Sequence, residues 1–230
     1  MIILSDLSEV HARGIIGTDR FLAAKYAVSS IGQKAIKDKC WRRQGVPTVQ
    51  GAFKDLLRGR ISEDEYWQEF FEKGRWLFDM EDAKEALSKN LRDPLPDPAT
   101  HVLERIMRYP RSLAGDFGFA DGMPTIYLVS DHIESRLQEV KNAHPGIFKL
   151  FAREFWSCRM GCIKEDRGFF PTVIDEGHLK PEEVILIDDN IKNIAAASRF
   201  GIQGILYQSS HQLETELRDK YGFEFGPAIP

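Results

Sequence analysis

Two short apolar runs, near the start of the chain and within its last quarter, stop abruptly at aspartate. Ile2-Ile3-Leu4 gives way to Ser5-Asp6, and Val184-Ile185-Leu186-Ile187 gives way to Asp188-Asp189. An apolar run without alternating polar residues suits a short strand buried on both faces, and an abrupt polar stop suits the end of such a strand. A third run, Thr125-Ile126-Tyr127-Leu128-Val129, ends at Ser130, and a fourth covers residues 202–207. Segments of helical periodicity lie among them: Val102-Leu103-x-x-Ile106-Met107, residues 133–142, and residues 190–200, the last closed by Gly201 as a left-handed stop. This alternation predicts an α/β fold, a parallel sheet covered by helices on both faces. Ligands of such sheets bind at the carboxyl ends of the strands. Asp6, Ser130, Asp188 and Asp189 are therefore expected along one edge.

The segment from Gly14 to Leu91 has a different character. Apolar and aromatic residues recur at helical spacing in Phe21-Leu22-x-x-Lys25-Tyr26 and Tyr66-Trp67-x-x-Phe70-Phe71. The aromatic stripe reads as helix-packing core. Ser62-Glu63-Asp64-Glu65 has the form of a capping box. Pro94, Pro96 and Pro98 read as a linker and helix entry, and the glycine-rich stretch 115–122 as a surface loop. A chain of 230 residues has room for one core and a smaller insert.

Composition narrows the partners. A formal net charge of −4 without a strongly basic segment argues against nucleic acid or an anionic membrane. No apolar run approaches the roughly 20 residues that span a bilayer, and the first residues reach the charge of Asp6 too soon for a secretory signal. Cys40, Cys158 and Cys162 are an odd set at unrelated spacing, which fits a reducing, cytoplasmic compartment. Cys158 and Cys162 are four apart, but nothing nearby completes a zinc set, and they read as small buried side chains. Monomer and homodimer both remain open.

Taken alone, an Asp or Ser at a strand end is commonly the cap of the next helix. Taken together, and with Lys164, these residues can do chemistry. Carboxylates crowded at one edge repel unless a cation lies between them, and oxygen ligands select a hard ion such as Mg²⁺. One carboxylate facing a substrate can attack phosphorus, while lysine, metal and a serine hydroxyl balance the phosphoryl oxygens.

The order and spacing of these residues resemble the four motifs of haloacid-dehalogenase-like (HAD) hydrolases. Asp6-Leu7-Ser8-Glu9-Val10 looks like the first, Leu128-Val129-Ser130 the second, and Gly161-Cys162-Ile163-Lys164 the third. Val184 to Asn190, continuing through Asn193, Ala196, Ala197 and Gly201, is similar to the fourth. The resemblance implies a Rossmann-like three-layer core at 1–14 and 95–230, with a helical cap at 15–94 inserted after the first strand. It implies Asp6 as nucleophile and Mg²⁺ ligand, with Ser8 lending its backbone carbonyl to the metal. Ser130 would hold the phosphoryl group, Lys164 would balance charge, and Asp189, assisted by Asp188, would be the fourth-motif ligand. The substrate implied is a small phosphorylated molecule. Cap residues Tyr26, Trp41, Arg42, Arg43 and Lys54 are candidates to reach it.

The sequence departs from the pattern at Ser8, where phosphatases of the family carry the aspartate that protonates the leaving group. A serine hydroxyl cannot replace it, and such help is worth about 10²–10⁴-fold in rate. Glu9 and His11 are near in sequence, although Glu9, at an odd offset from Asp6, should point away in an extended segment. Glu165 stands where the family often has proline. The main expectation is a Mg²⁺-dependent phosphatase working through an aspartyl-phosphate on Asp6. The alternatives are a catalytically weak or silent binding or regulatory protein on the same scaffold, and a metal-independent 2-haloacid dehalogenase.

Overall fold

Strand β1 (Ile2–Ser5) lies at the centre of a five-stranded sheet of order β3-β2-β1-β4-β5 in the computed structural model, which describes residues 1–27, 29, 32–34, 47–72, 79–108 and 124–225. The other strands are β2 (Thr125–Ser130), β3 (Arg153–Trp156), β4 (Val184–Asp188) and β5 (Gln203–Leu206), and every pairing is parallel. Cys40, Trp41, Arg42, Arg43 and the stretch 115–122 lie outside the described residues.

The registers fix where the strand ends fall. Ser5 pairs with Leu128 on one side and Ile187 on the other. The next residue, Asp6, donates its backbone N–H to Ile187 O at 2.9 Å, which carries the ladder one step further and brings Asp6 level with Asp188. Since β1 is flanked by strands reached through separate crossovers, the chain reverses its winding here, and the edge opens into the crevice where ligands of such sheets bind.

Both faces of the sheet are covered, which is why β4 is buried at every position. Ile3, Ile126, Ile185, Ile187 and Ile205 pack against helices α5 (Thr100–Arg108) and α9 (Ser210–Tyr221). Leu4, Val129 and Leu186 face α7 (Phe169–Gly177) and α8 (Ile191–Ser198). Helix α6 (Leu137–Ala143) covers Leu128 and Trp156. The sequence patterning had not marked β3: its Arg153-Glu154-Phe155-Trp156 is an edge strand that buries only the last two side chains.

Helices α1 (Asp19–Lys25), α2 (Pro47–Leu57), α3 (Glu63–Glu72) and α4 (Met80–Arg92) are inserted between β1 and β2. They share a core of their own, built from Leu22, Leu56, Tyr66, Trp67, Phe70, Leu87 and Leu91 and closed by Ile133 and Ile163 from the sheet's loops. Burying each large side chain is worth roughly 1.5–3 kcal/mol. The aromatic stripe of α3 is thus core, as expected. The capping box forms: Ser62 Oγ accepts the Glu65 N–H at 3.1 Å, and Glu65 accepts the Ser62 N–H at 2.7 Å.

Polar ties hold the helices to the sheet's loops. Arg58 donates twice to Asp166, at 2.7 and 2.8 Å, and Lys54 pairs with Glu165 at 3.0 Å. Glu63, 8% exposed, accepts two bonds from Arg136 and one from Ser135. Gly59 adopts φ +67, and a Cβ there would collide with the Cys158 carbonyl oxygen, so the chain's close approach needs glycine. No helix among the described residues is long and apolar enough to cross a membrane.

Candidate active site

Lys164 joins the two strand ends. It is 1% exposed, and its Nζ lies 2.8 Å from Asp6 Oδ2 and 2.6 Å from Asp188 Oδ2. Asp188 is held from every side. Its Oδ1 accepts the Asn190 N–H at 2.8 Å, and Asn193 Nδ2 reaches Oδ1 at 3.0 Å and Oδ2 at 3.1 Å. Asp189, the next residue, is exposed. Asp6, Asp188 and Asp189 each offer a carboxylate oxygen, all within 4.8 Å of one another.

This crowding has an electrostatic consequence. Two carboxylates about 5 Å apart repel by about 3–4 kcal/mol at an effective dielectric constant near 20. Burial pushes the Asp6 carboxyl well above the usual carboxylate range; Lys164 pulls it down, and Asp188 and Asp189 push it up again. Asp189 is exposed as a residue, but its carboxyl is partly desolvated beside Asp188, and both effects raise it to about 6 against the pull of Lys164. Burial alone would lower Lys164, but the Asp188 and Asp6 carboxylates outweigh it, and the ammonium is held charged above its ordinary value. One ammonium among three carboxylates leaves negative charge unbalanced. An oxygen-only donor set of this charge fits a hard divalent cation.

Ser130 Oγ is fully buried at the end of β2 with no hydrogen-bond partner, a donor without an acceptor next to the carboxylates' edge. Ser8 Oγ is also unpartnered, and its Cβ lies where a side chain at Gly14 would meet it, at 2.8 Å. The segment after Asp6 does not stay extended. It turns at Glu9, φ +58, with Ala12 O accepting the Glu9 N–H at 2.7 Å. The expectation that Glu9 points away held only for an extended chain, and the turn removes that condition. The Glu9 carboxylate is already engaged by the Gly14 N–H at 3.0 Å and by Arg13 at 3.4 Å.

His11 is buried as part of the core. Nε2 lies 2.8 Å from Ser5 Oγ and Nδ1 2.9 Å from Thr100 Oγ1, and burial lowers the imidazole to about 3. It stays neutral with both nitrogens engaged and cannot carry a proton to the crevice. Lys54 and Tyr26, candidates to reach a substrate, are committed elsewhere: Lys54 to Glu165, and Tyr26 OH to Asp82. The pairing with Lys54 also gives Glu165 its use. Cys158 and Cys162 are half-buried rather than buried, and burial beside Glu134 pushes the Cys158 thiol up to about 12.

Sequence reasoning missed Asp131. This half-buried residue accepts the Lys164 backbone N–H on Oδ1 at 3.0 Å, and burial, against the pull of Lys164, raises it to about 6. The signal was present: Ser130-Asp131 is a polar pair at a strand end, like Asp188-Asp189.

No family model matches the chain. Among curated proteins it is similar to a drimenol cyclase of Aspergillus calidoustus, 28% identical over 175 residues, or 71% of this chain and 31% of that protein. It is also similar to flavin mononucleotide hydrolase 1 of Arabidopsis thaliana, 25% identical over 165 residues, 72% of this chain and 60% of that one. The chain thus spans about a third and three fifths of the lengths of these relatives. Among solved structures, a HAD-like family hydrolase of Porphyromonas gingivalis superposes with a TM-score of 0.62 at 23% identity, covering 95% of this chain and 99% of that one. A HAD family enzyme of Bacteroides thetaiotaomicron, in complex with magnesium and inorganic phosphate, gives 0.59 at 20% identity over 90% and 93%. The L-2-haloacid dehalogenase of Xanthobacter autotrophicus, with chloropropionic acid covalently bound, gives 0.59 at 16% over 100% and 85%. The five-stranded parallel sheet with helices inserted after its first strand is the haloacid-dehalogenase-like fold that these solved structures share with the chain.

Proposed function

We propose that the chain is a Mg²⁺-dependent phosphohydrolase of a small phosphorylated molecule, acting through an aspartyl-phosphate on Asp6. One observation carries this reading: Asp6, Asp188 and Asp189 offer oxygens within 4.8 Å of one another, and the buried Lys164, bonded to the first two, cannot balance all three alone. Asp6, Asp189 and the Ser8 carbonyl would hold the cation, with Asp188 steadied by Lys164 and Asn193. Bound there, the ion supplies Lewis-acid charge to the phosphoryl oxygens. Lys164 favours the ionised form of Asp6 against the effect of burial and aims it, and the unpartnered Ser130 hydroxyl donates to a phosphoryl oxygen. Residues 15–94 act as the cap over the crevice of a core formed by 1–14 and 95–230. In support, these helices have a core of their own and are tied by Arg58, Lys54 and Glu63 to the loops on either side of the site.

The test is a panel of phosphate esters that includes flavin mononucleotide, the substrate in the name of the Arabidopsis relative. Turnover is expected to require Mg²⁺, to stop in EDTA, and to fall at least ~10³-fold in Asp6→Asn, since the nucleophile is lost. Hydrolysis that survives EDTA or the Asp6 change overturns the proposal. Ser8 in place of an aspartate, with the likeness to a dehalogenase, also keeps a metal-independent dehalogenase in view. Chelator-insensitive halide release from 2-chloropropionate would favour it.

A further inference from the structure

Whatever takes the place of the missing first-motif acid must stand near the reacting phosphorus, carry a proton near neutral pH and not be locked into the fold. Ser8 fails the second requirement. His11 fails the third, with both ring nitrogens bonded inside the core. Glu9 is pinned by Gly14 and Arg13. Among the described residues of this edge, Asp131 remains.

We propose that Asp131 carries the leaving-group proton that Ser8 cannot. The inference rests on the phosphohydrolase reading above. Asp131 follows the unpartnered Ser130 on the strand that borders β1, and one residue, Lys164, fixes the geometry from both of its ends. Its backbone N–H holds Asp131 Oδ1 at 3.0 Å, while its Nζ touches Asp6 and Asp188. Asp131 Oδ2 has no bond to a described residue and is not among the sealed unpartnered atoms, so it is left free to take up or give a proton. The groups acting on it are Lys164 and Glu165 from the loop, Asp188 from β4, and Cys162. Burial, the largest influence, holds it at about 6, so that both protonation states are populated near neutrality.

The chemistry balances. An Asp6 oxygen attacks phosphorus, the bond from phosphorus to the ester oxygen breaks, and that oxygen takes the Asp131 proton and leaves as an alcohol. Water then attacks the aspartyl-phosphate and gives its proton to the Asp131 carboxylate. Orthophosphate departs, and Asp6 and the protonated Asp131 are restored.

Asp131→Asn keeps the acceptor for the Lys164 N–H but cannot give up a proton in this way. Phenyl phosphate needs a proton on its leaving oxygen; 2,4-dinitrophenyl phosphate does not. In Asp131→Asn, kcat/KM for phenyl phosphate is expected to fall ~10²-fold or more, with the dinitrophenyl ester within ~3-fold of wild type. Equal losses on both esters would make Asp131 only a positioning residue for Lys164 and overturn the proposal, as would no loss on either. Should the Asn variant not fold, Asp131→Ser reads the same ratio. The wild type gives a further check: a steep fall of kcat/KM with rising leaving-group pKa would mean that no proton is delivered, and the idea fails. If the wild type hydrolyses neither these esters nor any of the wider panel, the phosphohydrolase reading falls and takes this inference with it. The other outcomes leave that reading standing.

Discussion

The ends of β1 and β4 present the same kind of group in different surroundings. At β4 every oxygen of Asp188 is bonded, by Asn190, Asn193 and Lys164, before any ligand arrives. At β1 both Asp6 oxygens are bonded as well, to the Leu7 N–H and to Lys164, but the chain turns within three residues of Asp6 and the Ser8 hydroxyl is sealed in without a partner. A buried carboxylate that has all its hydrogen bonds is a fixed part, whereas a buried hydroxyl without a partner contributes no bond to the fold. The difference is one of support: three groups hold the Asp188 carboxylate and two hold Asp6, the proposed nucleophile, whose neighbour Ser8 offers an unpartnered hydroxyl instead of a second acid.

Lys164 serves both ends, so its loss should have the largest effect on stability. Lys164→Met leaves Asp6 and Asp188 buried without a counter-charge, and breaking a buried pair costs about 3–5 kcal/mol. Urea unfolding at pH 7.5 in EDTA should show that loss. It should shrink as pH falls, because the orphaned carboxylates take up protons, and Mg²⁺ should recover part of it. A loss below about 1 kcal/mol would mean that the two ends are not coupled through this lysine.

Asn193→Ala acts on β4 alone. It removes the amide that bridges both Asp188 oxygens, and the expected cost is about 1–2 kcal/mol, offset in part because Asn193 Oδ1 is itself unpartnered. Chemical denaturation in EDTA measures it.

Asp131 gives a pH-dependent contrast. Burial raises its carboxyl to about 6, so between about pH 4, the unfolded value, and 6 the folded chain holds more protons than the unfolded one. Its contribution to stability is therefore present in acid and lost as pH rises through that window. Asp131→Asn removes this dependence. Its melting temperature relative to wild type should rise from pH 4 to 6 and level off above. A difference that stays constant with pH would place Asp131 in a more solvated setting than its contacts indicate.

The sheet and the convergence at its edge were legible because they follow from local rules. An apolar run ending at aspartate needs no distant information, and two such endings, with a third at Ser130, must meet when their strands are parallel neighbours. β3 was not legible: only its last two side chains are buried, and Arg153 and Glu154 carry no strand pattern. The turn at Glu9 was hidden because nothing in Asp6-Leu7-Ser8-Glu9-Val10 marks a positive φ. The fates of His11 and Lys54 were out of reach for another reason. Their partners, Thr100 and Glu165, are 89 and 111 residues away in the chain. Asp131 was readable as a strand-end residue, but its burial, which makes it useful, belongs to the fold.

The smallest expected effect tests the other half of the contrast. Ser8→Ala deletes a hydroxyl with no partner while keeping the Cβ that packs beside Gly14. Removing an unsatisfied buried polar atom spares a desolvation penalty and leaves no partner stranded, so stability should stay within about 0.5 kcal/mol of wild type or rise slightly. Denaturation in EDTA decides it, run beside Asn193→Ala so that the strand ends are compared under one condition. A loss as large as that of Asn193→Ala would show that the Ser8 hydroxyl has a bonding role, and the two strand ends would then be finished alike.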